Sequence, residues 1–423
     1  MKKKCEIIKE IIQIYIIAVM ILQLLQITKV IPDENNINIV MLLVGVILYA
    51  ITFINERYCY NWVQIAFVLS TIVTIVLNFN IETIKSVAYE IFYIIVLYGL
   101  AQRFVDIKIY TIILKIIVIA NTIFIAVFGT MYFVQGFTIN KNEFFNIFFY
   151  NINNGALLAF TSILATNYLY KINKMKLLLF ILLNICNIAF IMVSEARTAI
   201  LLLIAFMVVS ICSVFIRRIN IEKIAKKIKC LFIIMLVAVL IPLSLIILKE
   251  NYNMNLDKDK KIYEFENMLT EISSLRYPLW KYSIQAMKQS PIFGIGAIIG
   301  ERTIEKVPEY LIKQKFSAHQ VTILSRNNLH NGYIQVLVQH GIVGIILLIG
   351  FIYGQIKKIY NVKAKNAFMW YLKYFFLFII IANLFENNLI LSNSFIVYLI
   401  WITIGVSSNI KGKITVGGKH AKS

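Results

Sequence analysis

Metal-binding side chains are scarce in this chain. Its four histidines (His319, His330, His340 and His420) and five cysteines form no His-x-x-x-His or Cys-x-x-Cys pattern, the spacings that hold zinc. No metal and no cofactor are expected. Cys5 and Cys59 fall in stretches read as cytoplasmic, and Cys186, Cys212 and Cys230 lie within apolar segments or at their inner ends. No extracytoplasmic disulfide is therefore expected. Acidic residues are few, 21 against 42 Lys and Arg, for a net charge of +21. Such an imbalance raises nucleic acid as a partner, so the placement of the charges has to decide. Abundant apolar residues fill the space that charge leaves. Sixty per cent of the 423 residues are hydrophobic and the mean hydropathy is +0.79, more than a soluble domain of this size can hide.

The chain therefore reads as an all-α polytopic membrane protein. A spanning helix needs about 20 mainly apolar residues. Such segments lie near 10–29, 37–54, 61–79, 87–104, 109–134, 151–170, 175–193, 198–216, 230–248, 332–355, 369–388 and 392–408, about twelve helices. The first is too long and too interrupted by Gln for a signal peptide, and no small-residue cleavage site follows Ile27, so it reads as a retained helix. Lys2, Lys3 and Lys4, the cluster from Arg217 to Lys229, and Lys411 to Lys422 fall on one side of this topology. The short connections on the other side hold only Lys29, Lys85, Lys141 and Arg197. This asymmetry obeys the positive-inside rule and accounts for the basicity without nucleic acid. It predicts cytoplasmic termini, spans one to nine in 1–248, an extracytoplasmic loop over 249–329, and three more spans with a cytoplasmic tail in 330–423.

Only the connection between the ninth and tenth spans is long enough for a small domain, and long loops of this kind are usually functional or disordered. Tyr263, Phe265, Met268, Leu269 and Ile272, then Leu279, Tyr282, Ile284 and Met287, recur at helical spacing. They predict short amphipathic helices lying on or just above the bilayer. Pro278 suits the first turn of the second helix and Pro291 ends it. Gly294-Ile295-Gly296 with Gly300 reads either as a tight turn or as a backbone nest for a phosphate.

Several polar residues sit where apolar sequence meets this loop. Arg197, in Ser194-Glu195-Ala196-Arg197-Thr198, lies at an outer edge where basic residues are rare; its partner is Glu195, a lipid headgroup or a substrate phosphate, which a guanidinium grips in bidentate fashion. Arg276 precedes Tyr277-Pro278-Leu279-Trp280 and reads as a solvated loop arginine or as a second anion ligand. His330-Asn331 stands at the mouth of the tenth span, nine residues before Gly341-Ile342-Val343-Gly344, whose small residues let backbones approach. A histidine there is a cap, an interfacial anchor or a general base. His340 reads as a packing or hydrogen-bonding residue. Glu90 and Glu386-Asn387-Asn388 are expected near outer helix ends, either converging with the arginines and His330 or simply in wetter surroundings. Lys115 and Lys373 can snorkel to the cytoplasmic edge.

This arrangement resembles the O-antigen ligase and polysaccharide polymerase superfamily of bacterial envelope glycosyltransferases. The resemblance rests on His330-Asn331 with Gly341-x-x-Gly344, on Arg276 to Gly296 with Trp280, Pro291 and Gly294-x-Gly296, and on Ser194 to Thr198; it covers about 190–355. It implies a metal-independent enzyme of the bacterial cytoplasmic (inner) membrane, with its site outside. The donor would be a polyprenyl-diphosphate-linked oligosaccharide, the acceptor a glycan or glycolipid. In this reading Arg197 and Arg276 bind the diphosphate and His330 takes the acceptor's proton, with inversion at the anomeric carbon. Asn331, Glu195, Trp280, Gly341 and Gly344 support them. A polymerase extending the next lipid-linked repeat unit of an O-antigen or capsule is favoured over a ligase that uses lipid A core or another acceptor. Membrane lipid surrounds the protein, and a flippase and a chain-length regulator are candidate partners. A flippase or transporter of the same lipid-linked sugars is the alternative of a different class. It fits less well, because no internal repeat is evident and Pro242 alone breaks a span.

Overall fold

The computed structural model describes residues 2–28, 30–31, 35–54, 58–134, 152–215, 276–297, 329–362, 366–387 and 394–408. All regular structure among them is helical. In chain order the helices are α1 (Lys2–Ile27), α2 (Asn35–Phe53), α3 (Trp62–Leu77), α4 (Ile81–Ile91), a π-helical turn (Phe92–Leu97), α5 (Tyr98–Phe104), α6 (Ile107–Val134), α7 (Ile152–Lys171), α8 (Leu177–Ser194), α9 (Arg197–Phe215), α10 (Arg276–Met287), α11 (Gly332–Tyr360), α12 (Ala367–Phe385) and α13 (Phe395–Ser408). Seven helical stretches are long and apolar enough to cross a membrane, and Trp62–Leu77, Arg197–Ser210 and Phe395–Ser408 are shorter apolar helices. The protein is a multi-pass membrane protein. The expected ninth span, 230–248, and the first amphipathic loop helix, 263–272, lie outside the described residues.

Asparagine starts many of these helices. Side chains of Asn61, Asn80, Asn331 and Asn366 each accept a backbone N–H from the first turn, a bond worth about 1 kcal/mol that also fixes where the helix begins. The cap at Asn80 corrects one expected boundary. The fourth span was expected from residue 87, but the continuous helical stretch starts at Ile81 and runs through the π turn to Phe104, which carries Glu90 well inside it rather than toward its end.

α13 lies at the centre, buried from Phe395 to Ser407, and packs on α5, α1, α11, α12 and α7. Gly405 lets it approach α5 closely, since a Cβ there would come within 2.5 Å of the Tyr98 carbonyl. The π turn beside it widens the helix and leaves carbonyls poorly served by the chain's own ladder. Gln64 Nε2 donates to the Ile94 carbonyl at 2.6 Å and the Tyr60 hydroxyl donates to that of Ile95 at 3.0 Å. Burial pushes the Tyr60 phenol above its usual range, so it stays a donor.

The largest irregularity is in α11. An unbroken helix would bond Ile342 N–H to the Val338 carbonyl and Val343 N–H to that of Gln339. Gly341, at φ 66° and ψ −166°, breaks this ladder. Residues 291–296 enter the gap and satisfy all four groups: Ile342 and Val343 N–H donate to Pro291 and Ile292 carbonyls at 2.9 and 3.2 Å, and Ile295 and Gly296 N–H donate to Val338 and Gln339 carbonyls at 3.0 and 3.1 Å. Irregular backbone within a membrane protein is tolerated where such partners exist. The α3–α4 corner holds the insert from the other side, with Thr74 Oγ1 on the Phe293 carbonyl at 2.9 Å and Asn78 Nδ2 on that of Gly294 at 3.1 Å. The expected close approach at Gly341 is thus present, and the amides of 294–296 are all engaged, Gly294 N–H on the Ser290 carbonyl at 2.8 Å and those of Ile295 and Gly296 on α11, which corrects the phosphate-nest alternative.

A Cβ on Gly341 would lie 2.3 Å from the Ile292 carbonyl oxygen. Gly341→Ala is therefore expected to cost at least about 1–3 kcal/mol from left-handed strain alone and to expel residues 291–296. Thermal unfolding in detergent together with limited proteolysis checks this; a wild-type melting temperature and cleavage pattern would refute it.

Candidate active site

Four elements bring their ends to one cluster: the start of α10, the start of α7, the entry to α11 and the end of α12. Glu386, the residue that closes α12, is its hub. One carboxylate oxygen, Oε1, accepts from Arg276 Nη2 at 3.0 Å and from Asn153 Nδ2 at 2.7 Å; the other, Oε2, lies 3.0 Å from His330 Nδ1. Arg276 Nη1 also donates to the Phe385 carbonyl, and Gly332 N–H donates to the Glu386 carbonyl at 3.2 Å. The Glu386 side chain is 7% exposed, that of His330 15% and that of Arg276 19%. The charged atoms are thus largely withdrawn from water yet still reachable.

His330 is held in the left-handed region at φ 50°, uncommon for a residue with a Cβ and a mark of local constraint. Both neighbours pin it. Leu329 N–H donates to Gln335 Oε1 at 2.8 Å and the Leu329 carbonyl accepts from Trp280 Nε1 at 2.7 Å. Asn331 caps α11 through Oδ1, while its Nδ2 donates to the Leu384 carbonyl at 3.0 Å. Gly332 has Asn383 so close that a Cβ would lie 2.5 Å from Oδ1. With Nδ1–H directed at the carboxylate, the neutral imidazole keeps its lone pair on Nε2, the tautomer a proton acceptor requires.

Of the residues singled out from sequence, His330, Asn331, Arg276 and Trp280 meet here. Arg197 is not a partner of Arg276 or Glu386. It stands exposed at the first position of α9, and Glu195, also exposed, closes α8 in a left-handed conformation at φ 53°. Leu202 of α9 and Ile381 of α12 line one groove. Arg197 and Glu386 each lie five residues beyond these, about 7.5 Å along the axis at 1.5 Å per residue, so they occupy one level of the bundle. Gly341 makes the break in α11 and Gly344 lies against the His340 side chain, where a Cβ would come within 2.3 Å of the His340 Cβ. Asn153 had no signal in the sequence. Glu386 had one, as an acid in a chain with few, at the end of a span.

Glu90 does not join this site, which removes it from the convergence alternative. It is fully buried and pairs with His340, whose Nε2 lies 3.0 and 2.9 Å from the two carboxylate oxygens. Gln339 Nε2 donates to Glu90 Oε1 at 2.9 Å and to Ser86 Oγ at 2.7 Å. The Thr74 hydroxyl lies 3.3 Å from His340 Nδ1 and joins the pair to the residues 291–296 insert through the Phe293 carbonyl. His340 is the hydrogen-bonding residue expected, with an ionisable partner that sequence did not assign.

No group of three or more His, Cys, Asp or Glu side chains gathers as a metal site among the described residues. The cluster defines a multi-pass helical membrane protein with a His–Glu–Arg site at one end of its bundle. Residues 182–349 match the family model for O-Antigen ligase, which supports placing the chain in the O-antigen ligase and polymerase superfamily. The matched segment holds Arg197, Arg276, His330 and Gly341; Glu386 and Asn153 lie beyond it. No curated protein matches the chain. The family implies a glycosyltransferase-like enzyme acting on a lipid-linked glycan and an acceptor, and it lends no support to a transporter.

Removing one member of the Glu90–His340 pair strands the other in an apolar interior. Glu90→Ala or His340→Ala is expected to cost about 3–5 kcal/mol, whereas Glu90→Leu combined with His340→Met should recover most of that loss. Thermal unfolding in detergent reads the comparison, and equal losses in single and double variants would refute it.

Proposed function

We propose that the protein is a surface-polysaccharide polymerase. It transfers a glycan from polyprenyl diphosphate to the next lipid-linked repeat unit at the outer face of the cytoplasmic membrane. The observation that carries this reading is the single carboxylate of Glu386 shared by His330 and Arg276. An acyclic anion already sits on the guanidinium, where a diphosphate oxygen has the same charge and hydrogen-bonding capacity. The donor's diphosphate exchanges with Glu386 on Arg276, and Arg197, at the same level of the bundle, adds the second cation.

His330 Nε2 takes the proton of the attacking hydroxyl as the acceptor oxygen bonds to the anomeric carbon. The bond from that carbon to the diphosphate oxygen breaks with its electron pair leaving on the diphosphate, and the anomeric configuration inverts. Arg276 and Arg197 stabilise the charge that grows there, in place of a divalent metal. Glu386 keeps Nδ1–H engaged and stabilises the imidazolium once it forms, a role like that of the carboxylate in hydrolase triads. The positive-inside asymmetry supports placing this end of the bundle outside the cytoplasm.

Purified protein reconstituted with a lipid-linked repeat unit and EDTA is expected to give a product ladder on gels. His330→Ala should slow transfer by about 10²–10⁴-fold, Arg276→Ala by about 10²–10³-fold, and Glu386→Gln should reduce it less than His330→Ala. A single product formed only when lipid A core is supplied would make the enzyme a ligase. Retained turnover in folded His330→Ala would refute the assigned base.

A further inference from the structure

Glu386 has its backbone fixed: its N–H donates to the Ala382 carbonyl at 2.8 Å and its carbonyl accepts from Gly332 N–H at 3.2 Å. What stays adjustable is the carboxylate, whose last torsion is broad and roughly two-fold, so its donors decide which way it faces. Among the described residues three side chains approach it, and they differ in kind. Arg276 is a cation that an incoming anion attracts, and His330 is the assigned base. Asn153 carries no charge, and its Nδ2 makes the shortest of the three contacts, 2.7 Å against 3.0 and 3.0 Å, on the same oxygen that Arg276 occupies. Because an ionised carboxylate only accepts, the amide presents its NH₂ group there. Asn153 is also rooted more firmly than the arginine. It lies in the first turn of α7, directly before the wholly buried run 155–166, and α7 packs on α6, α8, α9, α12 and α13. A side chain with two torsions on such a helix has little reach.

We infer that Asn153 is a positioning residue for transfer: it holds Oε1 of Glu386 when Arg276 turns to the donor's diphosphate, so that Oε2 stays on His330 Nδ1–H. The inference rests on the transferase reading above, in which the diphosphate takes Glu386's place on Arg276. Once the guanidinium is engaged elsewhere, Oε1 loses its charged donor. Without the amide, the carboxylate could then swing after the arginine or turn about its last torsion, and either motion takes Oε2 off the imidazole. The ring would revert to Nε2–H, the tautomer that predominates for a free imidazole in water, and Nε2 would carry a proton where the acceptor hydroxyl must deliver one. A neutral donor suits this task. A cation at position 153 would itself be drawn to the diphosphate, whereas an amide stays on the carboxylate.

The test reads the imidazole directly. The chain has four histidines, so full-length protein carrying nitrogen-15 histidine gives four imidazoles in an NMR spectrum, and the His330 signals are those absent from folded His330→Ala. At mildly alkaline pH, with EDTA and farnesyl diphosphate as the probe, wild type is expected to keep the Nδ1–H tautomer and Asn153→Ala to lose it to Nε2–H. Asn154→Ala, at the neighbouring position, should behave as wild type. In the reconstituted assay Asn153→Ala is expected to lower kcat by about 10–100-fold, the fold-change of losing one hydrogen bond to a charged group, with KM for the donor within about twofold of wild type. Retention of Nδ1–H in probe-bound Asn153→Ala, or its loss in wild type on adding the probe, would overturn the inference. Should Asn153→Ala not fold, Asn153→Leu, of similar shape and without a donor, takes its place, and the wild-type spectrum still decides. A comparison without ligand separates this inference from the reading it rests on. Arg276→Ala removes the guanidinium and should keep Nδ1–H, while Arg276→Ala combined with Asn153→Ala should lose it; the same tautomer in both would overturn the role of Asn153. Failure of wild type to bind farnesyl diphosphate in titration calorimetry would instead defeat the transferase reading and leave that comparison intact.

Discussion

Backbone N–H and C=O groups in an apolar interior must find partners within the protein, and the break in α11 is where this requirement organises the molecule. Gly341 removes two rungs of the helix ladder. Residues 291–296 give each of the four stranded groups a partner, so a segment that follows α10 becomes part of α11. The same segment is gripped by Thr74 and Asn78 from the α3–α4 corner. Arg276, on α10, is thereby tethered to the helix whose entry carries His330. The polar residues that could react are positioned by a hydrogen-bond exchange that itself involves no reactive group.

Two histidines ten residues apart on one stretch of chain show how surroundings divide labour. Both face a glutamate at about 3 Å. Glu90 and His340 are sealed on all sides, and each is the other's polar partner in apolar surroundings, where an unpartnered group is costly; such a pair holds structure. Glu386 and His330 remain partly exposed, and Glu386 must also serve Arg276. One carboxylate held by an arginine and by a histidine N–H can release the arginine to an incoming anion without being left unpaired. This difference makes the second pair suited to chemistry and the first to anchoring.

The helical membrane architecture was legible because its signal is local: about 20 apolar residues in a row. His330, Asn331, Arg276 and Trp280 were legible because loop residues at a membrane edge stand out against an apolar background. Glu386 was visible as a rare acid but not as a hub, since its importance comes from partners 56 and 110 positions away. Asn153 is an ordinary polar residue until α7 runs antiparallel to α12 and delivers it to the carboxylate.

Sequence alone determined that the chain is a multi-pass helical membrane protein and that residues 182–349 match the O-antigen ligase family. Those properties depend on hydropathy, charge placement and short-range spacing, all written along one dimension. Tertiary structure alone decided that Glu90 pairs with His340, that the Ile295 and Gly296 amides are spent on a broken helix, and that His330 and Arg276 share Glu386. Each of these depends on which distant backbone or side-chain group fills a polar vacancy in an apolar interior, and that pairing exists only once the helices have packed.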